Sequence, residues 1–587
     1  MQLNTVERQL DVIKSRLPIV TGGLVILSVF MLLALARLQQ FSPAVRQEFL
    51  IRGENNTQSP LRLPAVRGVI YDREGVELAF NVLQYGVGVS PNLVTNSERI
   101  AQQLGVILDR DEFELYNLIE QDVGWVQIAR PVNAELGQQI DDLEEISITI
   151  DPLLSRFYPQ GELAGPILGF VTESNDNNNL GVMGIEASYN DELAGRPIDQ
   201  TVSTIPIDVP VAADTPENQR GRDVVLTIDR DLQYWMELLL AQGVEQYQAD
   251  GGVIIVMDPR NGEILAMAQN PTFDPNNFGE NPDNLRNQGI AYVIEPGSVM
   301  KVITVAIGIE TGAITPDWTY NDTGSLEVGG IPIVNWDRRA YGVVDASSLL
   351  VNSLNIGATT VALEVGPESF YTWMQDFGFG QLTGVDLLGE EVGIMRVPGD
   401  QNWNEADFAS NAYGQAISVT PLQMLTAVSG IANDGLIYAP HFMRYIVDGD
   451  ELRPARPAVN RVISSDTANA VTDMMVTVIE EGATLAQVPG YTVAGKTGTA
   501  QISTPLGYED GIRGQTRTSF VGFFPADDPQ VAVYIMLDRP RTSEFGSQTA
   551  APLFSVVAQR LALQLGIPPD DVRLSLQAEG GAINESP

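Results

Sequence analysis

The chain has 587 residues, 44% of them hydrophobic, with a formal net charge of −41. That length allows two or three domains with large cores, and so acidic a surface, with no basic patch, excludes nucleic acid as a partner. Cysteine is absent and His441 is the single histidine. This removes thiol nucleophiles, disulfides, cysteine-ligated metals and any multi-histidine metal site.

From Leu17 to Ala36 the chain carries no charge. A stretch of that length can cross a hydrocarbon core as a helix, and Arg8, Lys14 and Arg16 before it favour a cytoplasmic N-terminus. Ala34-Leu-Ala36 also resembles a signal-peptide cleavage site. Both readings put the remainder of the chain outside the cytoplasm.

Residues 39–62 are polar and read as a connection. Val66–Tyr71 and Ile146–Asp151 read as strands, and Ser97–Leu108 and Arg110–Gln121 as amphipathic helices. Residues 196–222, rich in Pro, Thr, Asp and Asn, read as an extended linker. A second domain opens with a strand at Arg222–Asp229 and a helix at Asp231–Gln248. A hairpin follows, pairing Gly252–Met257 with Gly262–Ala268. Helices are expected to dominate from Val299 to Ile431. Strands return at Tyr491–Val493, Thr518–Phe524 and Val531–Leu537, and Ala550–Leu565 is a closing helix. This order predicts an α/β (α+β) domain with an antiparallel sheet split by a helical insert.

Three of the 34 basic residues are lysines: Lys14, Lys301 and Lys496. Arginine stays protonated, whereas a buried lysine can lose its proton. Arginine nearly everywhere, with lysine at two positions beyond the hydrophobic segment, points to lysine chemistry at those two. Ser298 lies three residues before Lys301, after the helix-start signal Pro296-Gly297. A helix N-terminus favours a developing anion, and a base one turn away can take the serine proton. Alone, this string fits equally an N-cap serine followed by a solvated lysine. Lys496-Thr497-Gly498-Thr499 offers a cation and hydroxyls that suit a carboxylate, or an ordinary strand with a surface lysine. Ser353-Leu354-Asn355 alone means little, since both polar types are common caps. His441, in a run entering a strand, reads as structural.

Taken together, the three motifs resemble, in order and separation, the active-site set of penicillin-interacting serine enzymes. Arg67-Gly-Val-Ile-Tyr-Asp-Arg73, Tyr158-Pro-Gln-Gly161, Gly184-Ile-Glu186, Gly414–Gln423 and Phe520–Pro525 extend the resemblance to class B penicillin-binding proteins, over roughly residues 17–565. The resemblance implies a penicillin-binding transpeptidase fold: an antiparallel sheet with flanking helices and a helical subdomain, a mixed α/β N-terminal pedestal and one transmembrane helix. It implies a cytoplasmic tail over 1–16, an anchor over 17–38, a pedestal over 39–215, a transpeptidase domain over 216–566 and a flexible tail over 567–587. The implied activity is serine-type D,D-transpeptidation of peptidoglycan in division or elongation, by a mechanism that needs no metal or other cofactor. Ser298 is the implied nucleophile, Lys301 its base, Ser353 a proton relay and Asn355 an orienting group. Lys496, Thr497, Gly498 and Thr499 are implied to bind the donor carboxylate. Implied partners are D-Ala–D-Ala stem peptides, β-lactams, the cytoplasmic membrane and a polytopic glycan polymerase. A β-lactamase or D,D-carboxypeptidase shares the motifs but does not need the N-terminal half. A non-catalytic scaffold would not need both lysines and Ser298.

Overall fold

The computed structural model describes residues 16–33, 58–63, 65–173, 179–196, 198–203, 220–504, 507–508 and 515–576. The expected cytoplasmic tail before Arg16, the Ala34–Ala36 cleavage signal, the end of the anchor, most of both connecting segments and residues 577–587 lie outside them. The chain divides into two compact units, residues 1–63 with 197–215 and residues 64–196 with 216–587.

In the first unit, Arg16–Leu33 is one helix of 18 residues with mean hydropathy 2.0 and none of it buried. At 1.5 Å per residue it is about 27 Å long, near the thickness of a hydrocarbon core. Gln58–Leu63 and Ile198–Ser203 pair as antiparallel strands, with Gln58 opposite Ser203. These strands occupy ends of segments expected to be irregular.

In the second unit, the long strand Glu77–Val89 pairs with Ile148–Phe157 and Val126–Val132. Helices Ser97–Leu108 and Glu112–Ile119 cover it. Each is capped by the side chain before it: Asn96 accepts from Arg99 N–H and Asp111 from Glu114 N–H. Their apolar faces bury Ile100, Leu104, Leu115 and Ile119 against Val87, Val89 and Ile128.

The expected strand at Val66–Tyr71 shrinks to Ile70–Tyr71. Its earlier backbone donors are used elsewhere: Gly68 N–H reaches Leu193 O, and Val69 N–H the Asp223 carboxylate. What remains pairs in parallel with Asp223–Leu226, Ile70 opposite Val224. The resulting sheet runs Glu451–Pro454, Met443–Asp448, Asp223–Leu226, Ile70–Tyr71, Glu77–Val89, Val126–Val132. It therefore takes strands from both sides of the 196–222 segment.

The second sheet is antiparallel, in the order Ile264–Asn270, Gly251–Met257, Val531–Asp538, Thr516–Phe524, Ala494–Gln501. Gly251–Met257 is buried at every position, as a strand covered on both faces must be. Arg230–Tyr247 and Ala550–Gln564 pack together as one covering layer; Met300–Glu310, Pro421–Ala432 and Ser465–Thr477 form the other. The strand expected at Tyr491–Val493 begins instead at Ala494, because Thr492 N–H is taken by the Asp570 carboxylate.

Two regions depart from expectation. Residues 319–345 form strand pairs inside the predicted helical region, including the hairpin Ser325–Val328 with Ile331–Val334. Gly329 and Gly330, both at positive φ, make its turn. Residues 567–576, expected as part of a flexible tail, are instead docked. Tyr491 Oη donates to Ile567 O, residues 570–576 are helical, and the nearly buried Arg573 donates to Asp527 and Asp570. One arginine with two acidic partners fixes a segment whose composition reads as polar and loose.

Candidate active site

Ser298 sits in a single 3₁₀ turn, Gly297–Val299, that feeds the helix Met300–Glu310. Gly297 has φ +62°, and its N–H donates to Gly414 O at 2.9 Å. A Cβ on Gly414 would collide with the Gly297 backbone, and one on Gly297 would lie 2.8 Å from Thr499 O. Both glycines are thus required by close approach. They hold the Ser298 turn between the Gly414 segment and the Lys496 strand.

Lys301, one turn along, is fully buried. Its Nζ lies 3.1 Å from Ser298 Oγ, 2.6 Å from Ser353 O, 3.1 Å from Ser353 Oγ and 2.8 Å from Asn355 Oδ1. Ser353 stands between the helices Ala346–Val351 and Asn355–Val365 in a left-handed conformation, φ +55°. That strained backbone, rare for a residue with a side chain, turns both its carbonyl and its hydroxyl toward the same amine. Asn355 is steadied by Nδ2 donating to Val334 O at 2.9 Å. Val334 ends the hairpin not foreseen in the sequence, so that hairpin helps to aim Asn355.

Lys496 lies on the edge strand of the antiparallel sheet and is 1% exposed. Its Nζ is 3.2 Å from Ser353 Oγ, so this one hydroxyl lies within reach of both amines. Thr497, Gly498 and Thr499 continue the strand opposite Phe520, Ser519 and Thr518. Thr497 and Thr499 are half-exposed on one side, and Gly546 N–H donates to Thr499 Oγ1 at 3.1 Å.

Burial drives the Lys301 amine well below the ordinary lysine value, and the charge of Lys496 lowers it further. Burial also lowers Lys496, to about 7. Neither amine has a carboxylate among its described partners, so no opposite charge among them offsets desolvation.

All eight residues singled out in the sequence lie on these elements. Five of them, Ser298, Lys301, Ser353, Asn355 and Lys496, join in one chain of polar contacts no longer than 3.2 Å. His441 has its Nδ1 3.3 Å from Ala439 O and no described contact with Ser298. Among the described residues there is no cluster of His, Asp and Glu able to hold a metal ion.

Sequence reasoning missed two aromatics. Trp336, 62% exposed, donates from Nε1 to Asn352 O, next to Ser353. Phe545 precedes Gly546, the residue bonded to Thr499, and its ring stands 5.9 Å from that of Trp336. Exposed apolar rings meeting over a polar site form a wall for a ligand. The available signal was a lone aromatic among turn residues in each loop, Asn335-Trp-Asp337 and Glu544-Phe-Gly546.

Residues 252–559 match the penicillin binding protein transpeptidase domain, and residues 62–226 the penicillin-binding protein dimerisation domain. Stage V sporulation protein D of Bacillus subtilis is 33% identical over 524 residues, covering 86% of this chain and 79% of that one. Penicillin-binding protein PbpB of Mycolicibacterium smegmatis is 32% identical over 601 residues, covering 93% and 90%. The crystal structure of penicillin binding protein 3 from Mycobacterium tuberculosis complexed with aztreonam superposes with a TM-score of 0.67. It is 29% identical and covers 87% of this chain and 98% of that one.

Proposed function

We propose that this chain, which belongs to the class B penicillin-binding proteins and is a peptidoglycan D,D-transpeptidase, works through a serine acyl-enzyme on Ser298. What supports this reading is the buried environment of the Lys301 amine. Its Nζ faces two groups that only accept, Ser353 O and Asn355 Oδ1, and two hydroxyls, Ser298 Oγ and Ser353 Oγ. An ammonium has three N–H donors and no acceptor, whereas a neutral amine has two donors and a lone pair. Hydroxyls accept as well as donate, so either form finds partners here; in the neutral form the two donors serve the carbonyl and the amide oxygen, and the lone pair is left for a hydroxyl proton. Burial favours the neutral form.

In the proposed cycle, Ser298 Oγ gives its proton to Lys301 Nζ and attacks the carbonyl of the penultimate D-Ala of a donor stem peptide. The N–H groups of Ser298 and Thr499 stabilise the oxyanion. Lys301 then returns the proton through Ser353 Oγ to the departing amine, the C–N bond breaks, and D-Ala leaves. An amine from a neighbouring stem attacks the ester and loses its proton by the reverse route. A new amide forms and Ser298 is regenerated. Lys496, while protonated, holds the donor's terminal carboxylate with Thr497 and Thr499, and the backbone of Gly498 lets the ligand lie close.

β-Lactams enter as donor mimics and leave Ser298 acylated. We assign the anchor to 17–38, an N-terminal domain to 39–215 and the transpeptidase domain to 216–576, extended past the expected end at 566 by the docked residues 567–576. The anchor makes a single pass, with the catalytic domain outside the cytoplasmic membrane and a polytopic glycan polymerase as the membrane partner.

Mass spectrometry after incubation with a labelled penicillin tests the assignment. The adduct is expected on the peptide containing Ser298 and absent in Ser298→Ala. Label retained in that variant, or found on another peptide, rules the nucleophile out.

A further inference from the structure

The helix Asn355–Val365 begins on Asn355 itself, and the residue before it supplies no cap: the Leu354 side chain has no oxygen and makes no capping bond. The first N–H groups of a helix must then find acceptors elsewhere. Asn335, earlier in the chain, provides one. Its Oδ1 accepts from Ile356 N–H at 3.3 Å, the donor that a capping side chain ordinarily serves. The preceding residue, Val334, accepts from Asn355 Nδ2 through its carbonyl at 2.9 Å. Two consecutive residues therefore hold Asn355 at two points, one by its side chain and the other by the peptide that follows it.

Asn335 is 1% exposed, and its amide is fixed in turn. Nδ2 donates to both oxygens of Asp322, at 3.1 and 2.9 Å, and to Arg339 O at 3.0 Å. Asp322, as deeply buried, also accepts from Gly324 N–H at 2.9 Å and from Tyr320 Oη at 3.1 Å. The same tyrosine abuts the helix: a Cβ on Gly357 would stand 2.6 Å from Tyr320 Oη. A buried amide with its donors and its acceptor all engaged has a single orientation. None of the described hydrogen bonds of Asn335 or Asp322 reaches Ser298, Lys301 or Ser353. Their effect on the chemistry must pass through Asn355.

We propose that Asn335, locked by Asp322, is a positioning residue for acyl transfer: it fixes Asn355 Oδ1 against Lys301 Nζ and so keeps that amine aimed at Ser298 Oγ. The proposal rests on the acyl-enzyme reading of Ser298.

Acylation of the full chain by a chromogenic β-lactam is followed by stopped-flow across pH, and the saturating rate is read separately from the dissociation constant of the encounter complex. Penicillin labelling at the end point counts the active sites, and melting curves report folding. Asn335→Ala is expected to lower the saturating rate per active site roughly tenfold, with the dissociation constant within about twofold, since small losses of aim act on the chemical step. Its acid limb is expected to move to lower pH by about half a unit. The Lys301 ammonium loses a well-placed acceptor, while Lys496, the charged group beside it, stays. Loss of structure alone would lower the whole profile and leave the limb in place. The double variant Asn335→Asp/Asp322→Asn keeps an oxygen for Ile356 N–H and reverses the buried bond between the two side chains, so it should recover most of the rate. Parent rate and parent limb in Asn335→Ala overturn the proposal, as does a double variant that regains the melting temperature without the rate. If penicillin leaves Ser298 of the parent unlabelled, the acyl-enzyme reading itself fails. If the parent labels normally and Asn335→Ala matches it, only the role of Asn335 falls.

Discussion

Arg67 and Arg156 in the N-terminal region, and Lys301 and Lys496 in the catalytic half, are all withdrawn from water. Both arginines close on Glu186, each with Nε 2.6 Å from one of its oxygens. Burial pushes that carboxyl up, but Arg156 and Arg67 together outweigh it and hold it below the ordinary value. The lysines have no such partner; burial lowers both, so Lys301 sheds its charge instead of having it matched, while Lys496 titrates at about 7. A buried cation must be paired or neutralised. Arginine permits only the first solution, and its product is a structural brace. Lysine permits the second, and its product is a lone pair beside a hydroxyl. Reactivity here comes from leaving a buried group electrostatically unmatched.

Exchanging the two solutions tests this comparison. Lys301→Arg installs a permanent charge where an amine should be neutral. It should slow acylation of Ser298 by about 10²–10⁴-fold, the usual worth of a positioned base, as read by stopped-flow with a chromogenic β-lactam. An unchanged rate would remove Lys301 as the base. Glu186→Gln does the reverse in the N-terminal region and leaves two guanidiniums facing a neutral amide. It should cost about 3–5 kcal/mol of stability in urea unfolding, with the acylation rate per folded molecule unaltered. A loss under 1 kcal/mol in that experiment would mean that the triad is not a brace.

Two smaller effects sharpen the assignment. Acylation should rise with pH as Lys301 loses its proton, then fall as Lys496 does. Lys496 holds a carboxylate only while protonated, and burial sets its value at about 7. Well above that pH, the second-order acylation rate should drop roughly tenfold per unit, as a single titration requires. Lys496→Arg should abolish this alkaline limb; a limb that persists would assign it to another group. Trp336→Ala should weaken capture of an aromatic β-lactam by about 1 kcal/mol, through KM alone, with both pH limbs in place.

The candidate site is largely legible in the sequence because its chemistry uses scarce residues in fixed spacings. Lys301 and Lys496 stand out against a background of arginine, and a lysine one helical turn from a serine defines a geometry before any fold is known. The sheet strands with continuous apolar runs, such as Gly251–Met257, are legible for the same local reason. What stays hidden depends on distant partners. Ile70 needs Val224 to show where its strand ends, Trp336 needs Phe545 to form a wall, and the 570–576 helix needs Asp527 to receive Arg573. The Gly329-Gly330 turn was readable as a hairpin signal, but the apolar helical run before it obscured the change of period.

The parallel pairing of Ile70–Tyr71 with Asp223–Leu226 has a practical consequence for anyone wishing to study catalysis in isolation. A fragment beginning near residue 216 would keep every residue around Ser298 and still be damaged. It would present one side of Asp223–Leu226 as a naked strand border, with main-chain groups ready to recruit another molecule. Trimming this protein to its chemistry would make it sticky before it made it simple.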